Sequence, residues 1–499
     1  MKLVSRAQMN KIDANASEVY KIPSIVLMEH AAHEMYLDII KNQTKKTSFL
    51  IVCGSGNNGG DGFALARLLF LQGYSCDLLF IGHEDKMSED TLRNYLICKA
   101  LKIAVLSDIS SFEKYDVIVD GLFGTGLCRT VEGVYAQWIE RINASKKEII
   151  SIDIPSGIDC DNAKVLGCAI KANITYTMQC GKNGLYVYPG REYAGKVKVL
   201  NIFIPQELVD GCESQTYLIE KEVMKTFLPE RKMHSNKGSY GKVLCIGGSD
   251  GMSGAISLAA RSALCAGCGL LTCAVPQSIQ NAVQTNVQES MSLLLKEEEG
   301  HISKSAISLL TSKMSAFDII LCGCGIGRSE DIKDIVSMLY QEDKNLVIDA
   351  DGLFALQGSL SNRKNTILTP HLKEFATLMN VDVKEVVENT FHYIDVFTTQ
   401  YPDITLVLKS ETTIIAQGQT RYINTYGNNG LATGGSGDVL AGLITGLYAQ
   451  TKNSLQAAVL GVFIHAYGAD EINKEKSVYS LLPSDVIEQI EKVLFELTN

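Results

Sequence analysis

The chain has 499 residues, 46% of them hydrophobic and 20% charged, with a formal net charge of −10. That length exceeds one ordinary core, so two or three domains are expected. The acidic balance excludes a nucleic-acid surface, which needs a basic face, but leaves small anionic ligands open because backbone amides bind them without net charge.

The opening residues "MKLVSRAQMNKID" carry no apolar leader run. The fourteen cysteines sit scattered in apolar segments. They read as small buried hydrophobes of a reducing cytosol. Cys265 and Cys268 lack the second ligand pair that zinc would need, and the "CGC" at 322–324 has the wrong spacing to supply it. Two helices are expected over "AQMNKIDANASEVY" and "SIVLMEHAAHEMYLDII", parted by Pro23. Strands then end at Cys53 ("FLIVC"), Phe80 ("CDLLF"), Asp120 ("DVIVD") and Asp153 ("EIISID"). Apolar strands without polar alternation, separated by helical patterns, predict a parallel sheet in an α/β layer fold.

Three loops of this first run carry the chemistry. In "GSGNNGGDGFALAR", Gly54, Gly56 and Gly59 satisfy G-x-G-x-x-G between a strand and a helix, a phosphate cradle. A dinucleotide fingerprint also wants an acid ending the second strand, where "LLFIGHED" offers only Glu84, loosely placed. Asp61 at the helix start would repel phosphate unless a cation offsets it. "VDGLFGTGLCR" and "SIDIPSGID" follow further strands, so the loops converge at one sheet edge. There Gly124 to Gly126 and Arg129 offer phosphate donors, while Asp120, Ser156, Asn57 and Asn58 offer hard oxygens for a cation. Asp153 ends a strand, placed for proton transfer.

These motifs, preceded by "IPSIVLMEHAA", resemble the NAD(P)H-hydrate epimerase family over roughly residues 1–215. The resemblance implies a Rossmann-like three-layer domain that binds the hydrated, damaged form of NAD(P)H and interconverts its R and S epimers. Asn57, Asn58, Gly59, Gly60 and Asp61 would hold the hydrate, together with Gly124, Thr125, Gly126, Leu127, Cys128, Arg129 and Thr130. Asn58, Asp120 and Ser156 would bind potassium, and Asp153 would contact the hydrate and move the proton.

After strand-like "KVKVLNIFIP", a polar, irregular stretch over residues 205–240 marks a seam, and the split is placed near residue 215. From "KVLCIGGSDG" the α/β pattern restarts, with strands at "KVLCIGG", "LLTCAV", "DIILCGCGIG", "NLVIDADG", "NTILTPH" and "ITLVLKS". Each ends in glycine, Asp, His or Lys, which gathers polar groups at the ligand-binding edge. The apolar segment 257–275 reads as a helix running into a buried strand, broken at Gly267 and Gly269, not as a membrane span. "GNNGLATGGSGDVLAG" then places Gly434, Gly435 and Gly437 before a helix, a nest suited to a transferring phosphoryl group. Asp438 at that helix start is placed to accept a hydroxyl proton.

The G-x-G-D loop resembles the ribokinase-like superfamily. "SNKGSYGKVLCIGGSDGMSGA", "LTPHLKE" and "LVLKSETTII" resemble its NAD(P)H-hydrate dehydratase branch, over roughly residues 220–499. The branch couples dehydration of the S epimer to nucleotide cleavage. Lys409, Ser410, Glu411, Thr412, Thr413 and Gly437 would hold the nucleotide, and Ala255, Gly325, His371 and Asp438 the hydrate. The family usually has proline where this chain has Cys324.

The expectation is therefore an α/β chain of two domains, 1–215 and 216–499, the first Rossmann-like and the second ribokinase-like. It would act on both NADHX and NADPHX in the cytoplasm. The co-substrate would be ADP, or ATP as the alternative, with magnesium at the nucleotide site and potassium at the epimerase site. A homo-oligomer without membrane or nucleic-acid partners is expected. The chief alternative is a small-molecule kinase with a regulatory nucleotide-binding N-terminal domain. A dehydrogenase and an N-terminal module that binds without turnover are further rivals.

Overall fold

An apolar strand with no polar alternation must be covered on both faces, and the first seven-stranded sheet is covered on both. The computed structural model describes residues 1–499, which divide into two units, Met1–Thr216 and Tyr217–Asn499. In the first unit the sheet runs in the order Val105–Leu106, Ser75–Phe80, Ser48–Cys53, Val117–Gly121, Glu148–Ile152, Ile174–Met178 and Lys196–Leu200. Every neighbouring pair is parallel. Period-two alternation divides the strand residues between two cores. Phe49, Ile51 and Cys53 pack with helices Arg6–Glu18, Ser24–Ile39, Asn57–Leu71 and Glu89–Ala100. Leu50 and Val52 pack on the other face with helix Gly133–Ala144.

Chain order reverses between Ser48–Cys53 and Val117–Gly121, so the connections leave in opposite directions and open a crevice beyond the strand ends. Helix Arg6–Glu18 is started by a reciprocal cap: the Ser5 hydroxyl accepts from the Gln8 amide at 3.2 Å, and the Gln8 side chain accepts from the Ser5 amide at 2.8 Å.

The second unit repeats the logic on a separate core. Strands Met291–Leu295, Leu270–Pro276, Lys242–Ile246, Ile319–Cys322, Asn345–Ile348, Thr366–Leu368 and Ile404–Leu408 are parallel neighbours in that order. An antiparallel pair, Ile414–Gln417 and Thr420–Ile423, extends the sheet beyond Ile404–Leu408. Helices Ser253–Cys265, Ser436–Thr451, Ser454–Asn473 and Pro483–Thr498 cover one face.

Residues 257–275 are part of helix Ser253–Cys265 followed by strand Leu270–Pro276, with Gly267 at φ 96° in the turn. No helix is long and apolar enough to cross a membrane. The stretch over 205–240 is less irregular than its polarity implied. It holds helices Gln206–Asp210 and Lys221–Phe227 and a 3₁₀ turn at Lys237–Tyr240, all too short to show a helical period. All fourteen cysteines are free thiols, and Cys128 and Cys265 are the exposed ones.

Candidate active sites

The crevice of the first unit is a cleft of about 750 Å³. Its floor is the loop after Cys53, where the chain turns so tightly that a Cβ on Gly59 would collide with the Gly54 carbonyl. Asn57, Asn58 and Asp61 line the cleft with Gly124, Thr125, Gly126, Leu127, Cys128 and Arg129, and Asp153 closes its depth. Gly59, Gly60 and Thr130 lie outside the lining. Gly60 leaves room for the Met28 and Thr91 side chains, and Thr130 packs beside Gly167.

The electrostatics of this cleft centre on Asp153, which follows its strand at φ 64°. Lys182, 1% exposed, donates to Asp153 Oδ1 at 2.8 Å and to the Thr177 hydroxyl at 2.8 Å. The Thr125 amide donates to Asp153 Oδ2 at 3.4 Å. Burial pushes this carboxyl up, but the Lys182 ammonium and these hydrogen bonds outweigh it and hold Asp153 below the usual range.

Two neighbours behave differently. Asp61 is lifted well above the ordinary carboxylate range by burial, then by the charges of Asp153 and Asp13. Asp13, on helix Arg6–Glu18, is raised to about 6, by burial first and against the pull of Lys182. Burial and like charge thus favour the protonated form of Asp61, which lessens the repulsion expected there. Sequence reading missed Asp13 and Lys182. No motif surrounds either, and Asp13 looks like any polar residue of an amphipathic helix.

Asp120 is fully buried, the penultimate residue of strand Val117–Gly121. It accepts from the Ser156 hydroxyl at 2.6 Å, the Ser156 amide at 2.9 Å and the Ser151 hydroxyl at 2.9 Å. Burial still raises it. Asn58 is buried nearby against Gly124, and its amide nitrogen has no partner. The Asp120 carboxylate, the Ser156 hydroxyl and the side-chain carbonyl oxygen of Asn58 make a hard-oxygen set with one negative charge, to which the unpaired Asn58 nitrogen, a donor, adds nothing. Asn58, Asp120 and Ser156 therefore fit a monovalent cation, which would offset the burial of Asp120.

In the second unit, helix Ser436–Thr451 begins at Gly435, φ 96°, and brings Asp438 to the strand ends. Ligand atoms of Asp438, Asp349 and Cys324 lie within 4.8 Å of one another. Asp349 accepts at Oδ1 from Lys409 Nζ at 2.8 Å and from the Thr369 hydroxyl at 2.8 Å. Burial raises Asp438 to about 6, helped by Asp349 and opposed by the Cys324 thiol and by Lys409. The same burial pushes the Cys324 thiol up, so it remains a neutral donor. This trio does not fit magnesium. A neutral thiol is a poor ligand for a hard ion, and Lys409 already holds Asp349.

Gly437 adjoins Lys409 Nζ and Asp349, and Gly325, φ 61°, adjoins Ala255. Lys409 turns inward to this cluster, whereas Glu411 is exposed and Thr412 is buried. His371 caps helix Leu372–Met379. Its Nδ1 accepts from the Lys373 and Glu374 amides at 3.1 and 3.2 Å, which leaves Nε2 to carry the ring proton. Beneath the glycine turn lies a group the sequence did not flag. His465 is held neutral by burial, its pKa lowered to about 4, with Nε2 3.4 Å from the Ser436 hydroxyl. The second site can therefore bind an anion at the first-turn amides and accept a proton at Asp438.

Comparison with known proteins bears on both sites. Residues 24–184 match the family described as YjeF-related protein N-terminus, and residues 243–492 match NAD(P)H-hydrate dehydratase. The chain is 34% identical over 517 residues to the bifunctional NAD(P)H-hydrate repair enzyme Nnr of Moorella thermoacetica, covering 100% of this chain and 97% of the relative. It is also 34% identical to the enzyme of that name from Dictyoglomus turgidum, over 98% of this chain and 97% of the relative. A ribokinase-like superfamily protein of Enterococcus faecalis superposes with a TM-score of 0.51 at 26% identity, covering 57% of this chain and 96% of its own.

Proposed function

The chain belongs to the bifunctional NAD(P)H-hydrate repair enzymes, and from that premise we propose that its two sites work in series on one damaged metabolite. The first unit interconverts the R and S hydrates. The second dehydrates the S form to NAD(P)H at the expense of a nucleotide, for which we take ADP, with ATP as the alternative donor. The observation that carries this reading is the presence in one chain of two unlike glycine-rich cradles, each beside a half-buried carboxyl raised to about 6. A kinase with a merely regulatory first domain needs no second set of perturbed carboxyls in its cleft.

In the first cleft, the amides of 124–126 and Arg129 take the pyrophosphate arm, while Asn57 and Asn58 flank the hydrate. Asp153, held ionised by Lys182, gives the ring a fixed acceptor. Asn58, Asp120 and Ser156 would hold a potassium ion, which would supply positive charge beside the hydrate. In the second cleft, Ala255 and Gly325 form a small-residue wall for the hydrate, with His371 beside it. Lys409, the 410–413 turn and Gly437 face the nucleotide. Asp438 takes the proton from the hydrate hydroxyl as that oxygen attacks phosphorus, and the helix amides receive the charge that develops. Phosphorylation converts a poor leaving group into a good one, and departure of phosphate together with a proton from the neighbouring ring carbon restores the ring double bond.

The test supplies R or S hydrate separately, with ADP and ATP in parallel, and follows the absorbance of reduced nicotinamide. Recovery from both epimers with one nucleotide is expected. Recovery from S alone, above the spontaneous background, removes the epimerase. No recovery with either nucleotide removes the repair reading altogether.

A further inference from the structure

Epimerisation of the hydrate requires protons to be given and taken, and the ionised Asp153 is poorly placed to do both. Water adds to an enamine double bond with its hydroxyl on the carbon next to nitrogen, so the stereocentre of the hydrate is a carbinolamine carbon. Such a centre inverts when the hydroxyl leaves as water and a new water adds to the opposite face. The departing oxygen needs a proton donor, and the arriving one needs a proton acceptor.

Asp153 has both oxygens engaged by Lys182, Thr177 and the Thr125 amide. Asp13 and Asp61 are different. They enter the same cleft from two separate helices, Arg6–Glu18 and Asn57–Leu71. Both are half-buried in the cleft wall, and burial and neighbouring charges, not hydrogen bonds, govern their titration. A half-buried carboxyl that no protein hydrogen bond engages is free to meet a ligand in the cleft it lines. Helix Arg6–Glu18 turns Met9, Asn10, Asp13 and Ser17 to the cleft, and Asp13 is the single ionisable group among them.

We propose, resting on the repair reading above, that Asp13 and Asp61, which line the same cleft, are the acid–base pair of the epimerisation, one protonated while the other is ionised. In one direction Asp13 gives its proton to the hydroxyl. The carbon–oxygen bond breaks, its electron pair leaves with the water, and the nitrogen lone pair forms the C=N⁺ bond. A second water then bonds to the other face of that carbon and passes its proton to Asp61. The reverse direction exchanges the two roles, so atoms and charge balance with water as the sole co-reactant. Asp153 stays ionised beside the transient cation. Burial raises both carboxyls, which keeps a proton on the pair near neutrality. The other titratable groups facing Asp13 are Asp153, Lys182 and the Cys180 thiol.

The experiment uses the full-length chain in water enriched in heavy oxygen, with R or S hydrate and the competent nucleotide. Asp13→Asn is expected to slow recovery from R by about 100-fold or more, with the apparent KM within about threefold and recovery from S unchanged. Uptake of label into the remaining hydrate falls in parallel. A variant that epimerises within about threefold of the parent overturns the proposal, as does a parent that epimerises without taking up label. A parent that recovers nothing from R beyond the spontaneous rate overturns the epimerase reading, and this assignment with it. Should the Asn variant lose its folded first unit, the pH profile of the parent decides. A one-proton pair gives a bell-shaped kcat/KM, and a flat profile between about pH 5 and pH 8 overturns the pairing.

Discussion

Asp438 shows how one residue carries both the chemistry and a cost. Its pKa of about 6, from burial and the nearby Asp349, lets it accept a proton at neutral pH and still return it. Dehydration of the S hydrate should therefore fall tenfold per pH unit below about 6, read from kcat/KM against pH. Asp438→Asn should lower that rate by about 10²–10⁴-fold. The same shift has a stability consequence of definite sign. From about pH 4 to about 6 the folded chain holds a proton that the unfolded chain has released. Stability therefore falls as pH rises through that window. Asn mimics the protonated form, so this variant should also be more stable at neutral pH by roughly 1–3 kcal/mol, measured by urea unfolding. Equal stability at neutral pH would contradict the burial cost ascribed to this carboxyl.

At the scale of elements, the nest before Asp438 is only as well placed as its helix, and that placement depends on two small residues. Helix Ser436–Thr451 approaches helix Ser253–Cys265 so closely that a Cβ on Gly442 would meet the Ala259 backbone, and one on Gly446 the Ala263 backbone. Gly442→Ala should thus destabilise the second unit by about 1–3 kcal/mol, despite the roughly 1 kcal/mol that alanine gains in a helix interior. Thermal unfolding measures the loss, and dehydratase activity should drop with it as the helix start moves. The sequence showed this helix and its glycine loop plainly, because "GGSGDVLAG" couples turn residues to an apolar run. It did not show the contact, since the partner residues lie far away in the chain. The same holds for the first cleft. The loops at 54–61, 119–129 and 151–159 were legible because glycine clusters after strands have a local cause. Asp13 and Lys182 were not, because the sheet brings them together by topology. The antiparallel pair Ile414–Gln417 and Thr420–Ile423 escaped notice behind the stronger "KSETT" signal.

At the scale of the whole molecule, two sites in series predict an asymmetric pattern of lesions. Asp120→Asn removes the buried charge under the first cradle and should slow recovery from R hydrate while leaving recovery from S intact. Asp438→Asn should stop both. Following product from each epimer separately checks this, and a loss of S recovery in Asp120→Asn would contradict independent sites. The thiols described above lead to a further property, durability. Burial raises Cys53, Cys76, Cys245, Cys322 and Cys324, so these sulfurs are nearly devoid of thiolate and react slowly with peroxides. Cys128 and Cys265 are the exposed thiols, and of the two Cys128 lies on the wall of the first cleft. Oxidative wear would then be uneven: epimerisation fades first, while the S half of a damaged pool continues to be salvaged.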